Sequence, residues 1–292
     1  PIATIENEVG GVIENNIVGL SFHPEVTNDN LYLDWLSSFL KDGVNVRSHS
    51  KWSTIKRKKG ANDAKRGKLF AKLIRGIEVA AKNGGADPNN NAALYQAISK
   101  AKSNSVPNSN IDNALKRMSG DSSTESFDEI TYEGYGPNGV AILVECVTDN
   151  RNRTSSDVKA TFNKYEGNTG SPGSVNYLFS RKAIFQFDEY KEEIIDLAIE
   201  NNCIDIQENE TGVTFEFQPS EFQKVDQLFR NSGFNLVNSE VAYLPSSSVN
   251  LDIEKFNRLS KLIEALEDLD DVQNVYANFD IDNKLLEKAI TE

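Results

Sequence analysis

From Asn62 onward the apolar residues Leu69, Phe70, Leu73, Ile74, Ile77 and Ala81 recur at three- and four-residue spacing, which gathers them on one face of a helix. Asn62 or Asp63 supplies a capping side chain at its start. The same period predicts two more helices, at about 91–104 with Leu94, Ala97, Ile98 and Ala101 inward, and at about 109–118 with Ile111, Leu115 and Met118 inward and Gly120 as a stop.

Further along, the period changes between two and 3.6. Residues 183–244 predict strand (Ala183 to Phe187), helix (Glu189 to Asn201), strand (Cys203 to Gln207), a turn at Glu210-Thr211-Gly212, strand (Val213 to Phe217), helix (Ser220 to Arg230) and strand (Asn235 to Leu244). That βαββαβ order is the ferredoxin-like signature, an antiparallel sheet with helices on one face. Residues 129–180 predict a hairpin turning at Gly-Pro, a helix opened by Thr154 with Asp157 completing a capping box, and a strand at Val175 to Phe179; residues 248–279 predict strand, helix, strand. Neither flank is complete alone, so the two are expected to join. The fold class is therefore α+β multidomain: an N-terminal basic helical domain (47–125), a discontinuous α+β domain (126–182 plus 245–282), and a ferredoxin-like domain (183–244) inserted in it. Ahead of these, residues 9–22 predict two short strands around Asn15-Asn16, and Asp34 to Leu40 predict the start of a helix.

Charge changes the picture, because it is unevenly placed. Residues 47–117 hold 16 Lys and Arg against 4 Asp and Glu, a net of +12, inside a chain whose net charge is −13. Between Lys51 and Arg75 there are ten basic residues and one acid. Such a block is the electrostatic footprint of a phosphate-backbone contact. On the long helix Lys65, Lys68, Lys72 and Arg75 fall nearly opposite the apolar face, so one side packs and the other is expected to meet solvent or phosphate. The candidate nucleic-acid-binding residues are Lys51, Trp52, Lys56, Arg57, Lys58, Lys59, Lys65, Arg66, Lys68, Lys72 and Arg75. Trp52 either stacks on a base or anchors the core. Arg151 and Arg153, at a strand-to-helix junction, join the candidates, the alternative being that they pair with nearby acids.

Other features carry less. Gly167 to Ser174 lacks the Gly-Lys-Ser/Thr of a phosphate loop and reads as a flexible connection. The acids between Glu264 and Asp271 do not match a calcium loop and read as a solvated helix end. Cys146 and Cys203 lie in apolar runs and read as buried thiols of a reducing cytosol, with no disulfide or metal role. The chain opens on Pro1 and its sole methionine is Met118, so residue 1 does not read as an initiation point. No run approaches the roughly 18 apolar residues that span a bilayer, so no membrane partner is expected.

Two resemblances follow from motifs. Gly19-Leu20-Ser21-Phe22-His23-Pro24-Glu25, with Val26-Thr27-Asn28-Asp29 after it, resembles the end of a class I glutamine amidotransferase, most of all the glutaminase subunit of pyridoxal phosphate synthase (PdxT). The resemblance makes His23 and Glu25 the base and orienting acid of a cysteine nucleophile. Both cysteines here follow by more than a hundred residues without a Gly-rich elbow, so the dyad reads as vestigial and residues 1–46 as a remnant and linker. The run His49 to Lys82, then Tyr132-Glu133-Gly134-Tyr135-Gly136-Pro137-Asn138-Gly139 and Thr148-Asp149-Asn150-Arg151-Asn152-Arg153-Thr154, resembles the YebC/PmpR family across residues 48–280. It implies a cytoplasmic, DNA-binding transcriptional regulator; its alternative is a ribosome-associated translation activator that touches ribosomal RNA. Downstream of residue 48 neither an acid/base constellation nor a cofactor motif is visible, so no enzyme, no cofactor and no small-molecule substrate are expected. A different class, a module docking a basic partner on its acidic domains, predicts that neutralising the Lys/Arg stripe leaves binding intact.

Overall fold

The computed structural model describes residues 3–5, 8–14, 17–20, 63–118, 127–209 and 212–282. The first unit, within Pro1–Asn45, holds a three-stranded antiparallel sheet of β1 (Ala3–Ile5), β2 (Glu8–Glu14) and β3 (Ile17–Leu20), with Glu14 paired to Ile17 across the expected Asn15-Asn16 turn. The helix expected at Asp34 to Leu40, and the His23-Pro24-Glu25 motif, lie outside the described residues.

The second unit begins with three helices, α1 (Asp63–Gly84), α2 (Ala92–Ser103) and α3 (Asn108–Met118). Their apolar faces close on Leu73, Ile77, Leu94, Ala101, Ile111 and Ala114. Asn91 locks the first corner. Its carboxamide oxygen caps α2 by accepting from the Leu94 N–H (3.0 Å), while its nitrogen donates to Ala80 O (2.7 Å) and Gly85 O (2.8 Å), so otherwise orphaned groups at both helix ends are satisfied.

Two antiparallel sheets follow. One has the order β12-β5-β4-β6, from β4 (Asp128–Tyr135), β5 (Ala141–Thr148), β6 (Asn168–Thr169) and β12 (Val272–Ala277). Helices α4 (Arg151–Lys164) and α7 (Ile253–Glu267) bury Val158, Phe162, Leu259, Leu262 and Leu266 against its Ile142, Val144 and Val275. The chain leaves this sheet after β6 and builds all of the other one, β7 (Phe179–Phe187), α5 (Glu192–Glu200), β8 (Asp205–Asn209), β9 (Gly212–Phe217), α6 (Phe222–Asn231) and β10 (Leu236–Pro245), before returning through β11 (Val249–Asn250), α7, β12 and β13 (Phe279–Asp280). Its order, β10-β7-β9-β8 with every neighbour antiparallel, is the ferredoxin-like arrangement. One face carries a phenylalanine core, in which the Phe229 ring lies 5.0 Å from Phe187 and 5.3 Å from Phe185. The opposite face packs Ile184, Ala242 and Leu244 on Ala141, Leu143 and Tyr276 of the first sheet. This explains why β5 is apolar on both faces.

Three local expectations are corrected. Helix α4 starts at Arg151, capped by Asn150 accepting from the Arg153 N–H (3.1 Å), whereas Thr154 is buried and bonded elsewhere. Asn176–Leu178 is a 3-10 turn and the strand begins at Phe179. The glycine-rich stretch is a pinned loop: the Glu133 carboxylate accepts from the N–H groups of Gly173 (2.6 Å), Val175 (2.7 Å) and Asn176 (2.9 Å). Burial alone would raise the pKa of Glu133, but those three donors bring it below its usual value. Nearby, Gly134 is required by close approach, since a Cβ there would stand 2.6 Å from Asn168 O.

Candidate nucleic-acid interface

The polar face of α1 does not simply look outward. Lys68, Lys72 and Arg75 all reach the turn that joins α7 to β12. Lys72 Nζ donates to Glu267 O (2.5 Å) and Leu269 O (2.6 Å), a cation at the carbonyl-rich end of α7 where the helix dipole favours positive charge. Lys68 Nζ lies 3.4 Å from Asp270 Oδ1, both side chains well exposed. Arg75 Nη1 pairs with Asp271 Oδ1 at 3.1 Å and its guanidinium stands 5.4 Å from the Phe127 ring centre.

Asp271 is the hub of this contact. Its second oxygen accepts from Arg153 Nη2 (2.7 Å), Thr154 Oγ1 (2.8 Å) and Thr148 Oγ1 (3.1 Å), which ties the end of β5, the start of α4 and helix α1 to one buried carboxylate. Burial would raise its pKa; hydrogen bonds from Arg153, Thr154 and Thr148 outweigh that and lower it. The reading of Glu264 to Asp271 as a solvated helix end is thus corrected at Asp271, which is 7% exposed. Arg153 also pairs with Asp149 (2.8 Å), and Arg151 with Asp128 (2.7 Å), so both junction arginines meet acids of their own sheet and helix, the alternative left open by the sequence. An open cleft of about 500 Å³ lies between these groups. Its walls carry Lys68, Arg75 and Arg153 against Asp149, Asp157, Asp268, Asp270 and Asp271, more carboxylates than cations, so it does not favour a phosphate.

Two further contacts anchor the helices, and neither was foreseen. Tyr95 OH donates to Asp226 Oδ2 (2.9 Å), which also accepts from Arg230 Nε (2.8 Å), while Arg230 Nη2 reaches Ser99 Oγ (3.3 Å) and Ser239 Oγ (3.0 Å). Lys100 Nζ donates to Asn274 Oδ1, and Asn274 in turn donates to Glu145 (2.7 Å). Because Tyr95, Ser99 and Asn274 are uncharged, neither hydrophobic period nor charge pattern in the sequence signals these contacts.

Of the other predicted contact residues, Arg66 is exposed, with its guanidinium 5.4 Å from the Phe70 ring centre. Lys65 falls within α1. Lys51, Trp52, Lys56, Arg57, Lys58 and Lys59 lie outside the described residues. Cys146 is buried and desolvation pushes its thiol up to about 12; Cys203 is only half-buried, a correction, and burial pushes it up to about 11. No helix among the described residues is long and apolar enough to cross a membrane.

Residues 50–121 match the TACO1/YebC protein N-terminal domain, and residues 127–279 match the TACO1/YebC second and third domain. A protein of Desulfotalea psychrophila named "Probable transcriptional regulatory protein" is 48% identical over 247 residues, 83% of this chain and 99% of that one. A protein of Geobacter sulfurreducens with the same description is 46% identical, across 84% of this chain and 100% of its own. The crystal structure of a conserved hypothetical protein from Aquifex aeolicus superposes with a TM-score of 0.67 at 42% identity, covering 76% of this chain and 93% of that one. The family matches start at residue 50, so the glutaminase resemblance around His23 and Glu25 rests on its motif alone. Matched over most of its length and close in sequence to relatives it spans almost end to end, the chain belongs to the TACO1/YebC family.

Proposed function

We propose that this protein is a non-enzymatic, cytoplasmic regulator that binds nucleic acid through its basic helical module, with DNA as the target. The observation that carries the reading is the net charge of +12 on residues 47–117 of a chain at −13 overall. The names of the relatives, probable transcriptional regulatory proteins, point the same way. In this reading Lys51, Lys56 to Lys59, Lys65 and Arg66 meet the phosphate backbone and Trp52 stacks on a base. Lys68 and Arg75, through Asp270 and Asp271, and Lys72, through the backbone carbonyls of Glu267 and Leu269, hold α1 against the α7–β12 turn. Arg153, bonded to Asp271, positions that junction, while Arg151 ties the start of α4 to Asp128 of β4. The domain division is the one the chain order suggests, with residues 183–244 inserted between the halves of the first sheet, and residues 1–46 take no catalytic part.

The test compares duplex DNA and purified ribosomes as ligands of the full chain across a salt series. Removing one cation that neutralises a phosphate should shallow the DNA log–log salt slope by about 0.9. Alanine at Lys56, Arg57, Lys58, Lys59 and Arg66 should therefore weaken duplex binding strongly and flatten its salt dependence. Undiminished duplex binding by that variant contradicts the reading; tighter binding to ribosomes that the same variant abolishes replaces DNA by ribosomal RNA.

A further inference from the structure

The second sheet has two edges, and they are treated differently. The outer side of β10 is flanked by α2, which reaches it through Ser99, Arg230 and Ser239. At the other edge is β8 (Asp205–Asn209), and among the described residues no strand pairs with its outer side. Exposed strand edges are ordinarily blunted by lysine, proline or a covering element, because their free N–H and C=O groups template another strand. Here exposed apolar side chains stand beside the edge, among carboxylates and without lysine or proline on the strand. Among the described residues, three of the five exposed large hydrophobic side chains cluster around this edge: Ile199 (59% exposed) in the last turn of α5, Ile204 (43%) immediately before β8, and Tyr190 (54%), whose phenol lies against Glu208 of β8. A tight turn through Asn202, at φ 64°, brings the end of α5 directly to the start of β8.

Charge selects the kind of chain that fits. From Glu192 to Gln223 the sequence has nine acidic residues and no lysine or arginine. Glu192, Glu193, Asp196 and Glu200 are exposed on α5, and Glu208 is exposed on the strand itself. This surface repels a nucleic-acid backbone and attracts a cationic polypeptide. We infer that the β8 edge, with Tyr190, Ile199 and Ile204 around it, is a docking site for an extended, lysine- or arginine-rich protein segment that adds a strand to the ferredoxin-like sheet. Backbone pairing supplies the affinity, the exposed apolar side chains take alternate residues of the incoming strand, and the carboxylates fix its charge. The surface stands apart from the basic helices, so protein partner and nucleic acid can be held together.

The experiment uses the full chain and a synthetic decapeptide of alternating lysine and valine, read by amide hydrogen exchange and by titration. A second decapeptide has the same sequence with every other backbone nitrogen methylated, which keeps the charge and removes the ability to pair. The expected result is exchange slowed at least tenfold within residues 204–209 by the first peptide. Affinity should fall at least tenfold for the methylated peptide and for each of the variants Glu208→Lys and Ile199→Ser/Ile204→Ser, all at exposed positions, with thermal unfolding of each variant unchanged. Equal binding of both peptides, protection confined to the α7–β12 cleft, or no binding at all overturns the inference. Duplex DNA run as a third ligand should leave residues 204–209 unprotected; protection there by DNA also overturns it.

Discussion

Asp271 shows how much one side chain can decide and how little of that is written locally. In sequence it ends a run of acids after a helix; in the fold it is a buried carboxylate with Arg75, Arg153, Thr148 and Thr154 as partners drawn from three other elements. Periodicity reports which face of an element is apolar, but it does not report which distant hydroxyl or guanidinium meets a given acid. Removing the charge with Asp271→Ala takes away a buried acceptor of four hydrogen bonds but leaves Arg75 and Arg153 partly solvated, and should cost about 2 kcal/mol in urea unfolding. The pH dependence has a definite sign. The folded pKa of Asp271 is depressed, so its contribution is complete above the unfolded value of about 3.9 and is lost as pH falls through the lower folded value. The acid limb of the stability curve should therefore be shallower in Asp271→Asn than in the parent; parallel limbs would contradict the assignment. Glu133 follows the same rule with backbone donors as partners. Glu133→Gln should speed exchange at the amides of Gly173, Val175 and Asn176 while leaving β5 protected.

At the scale of elements, the helix and strand order was legible because apolar spacing is a local property. The three helices of the basic module and the βαββαβ run stand where the pattern puts them. Where the reading slipped, a polar group from another element had intervened. Glu133 turned an apparent linker into a fixed loop, and Asn150 rather than Thr154 capped α4 because Thr154 was engaged by Asp271. Helix α1 is the informative case: its amphipathic character was plain, but a row of cations reads the same whether it faces phosphate or the protein's own carbonyls and carboxylates. The structure answers for Lys72, which caps the C-terminal end of α7. Lys72→Met should loosen α1 from that turn, with faster exchange in α1 and a stability loss of about 1 kcal/mol, while exchange in the ferredoxin-like sheet stays unchanged. Equal acceleration in both would show that the contact does not act locally.

For the whole molecule, charge is segregated and then partly reunited. Helices α1 and α2 meet the acidic body through Lys68, Lys72, Arg75, Lys100 and the Tyr95–Asp226–Arg230 link, so part of the net +12 that residues 47–117 carry serves docking within the chain. The sequence made the asymmetry visible but not this division, because charge complementarity inside one chain and complementarity to a polyanion use the same residues. What decides between them is which cations bind nucleic acid. The most direct measurement is duplex DNA affinity of the full chain over a salt series, for the parent, for alanine at Lys56, Arg57, Lys58, Lys59 and Arg66, and for alanine at Arg151 and Arg153. The expected result is a weaker affinity and shallower salt slope in the first variant, and a slope matching the parent in the second. The reverse pattern, or parental binding by the first variant, would contradict it.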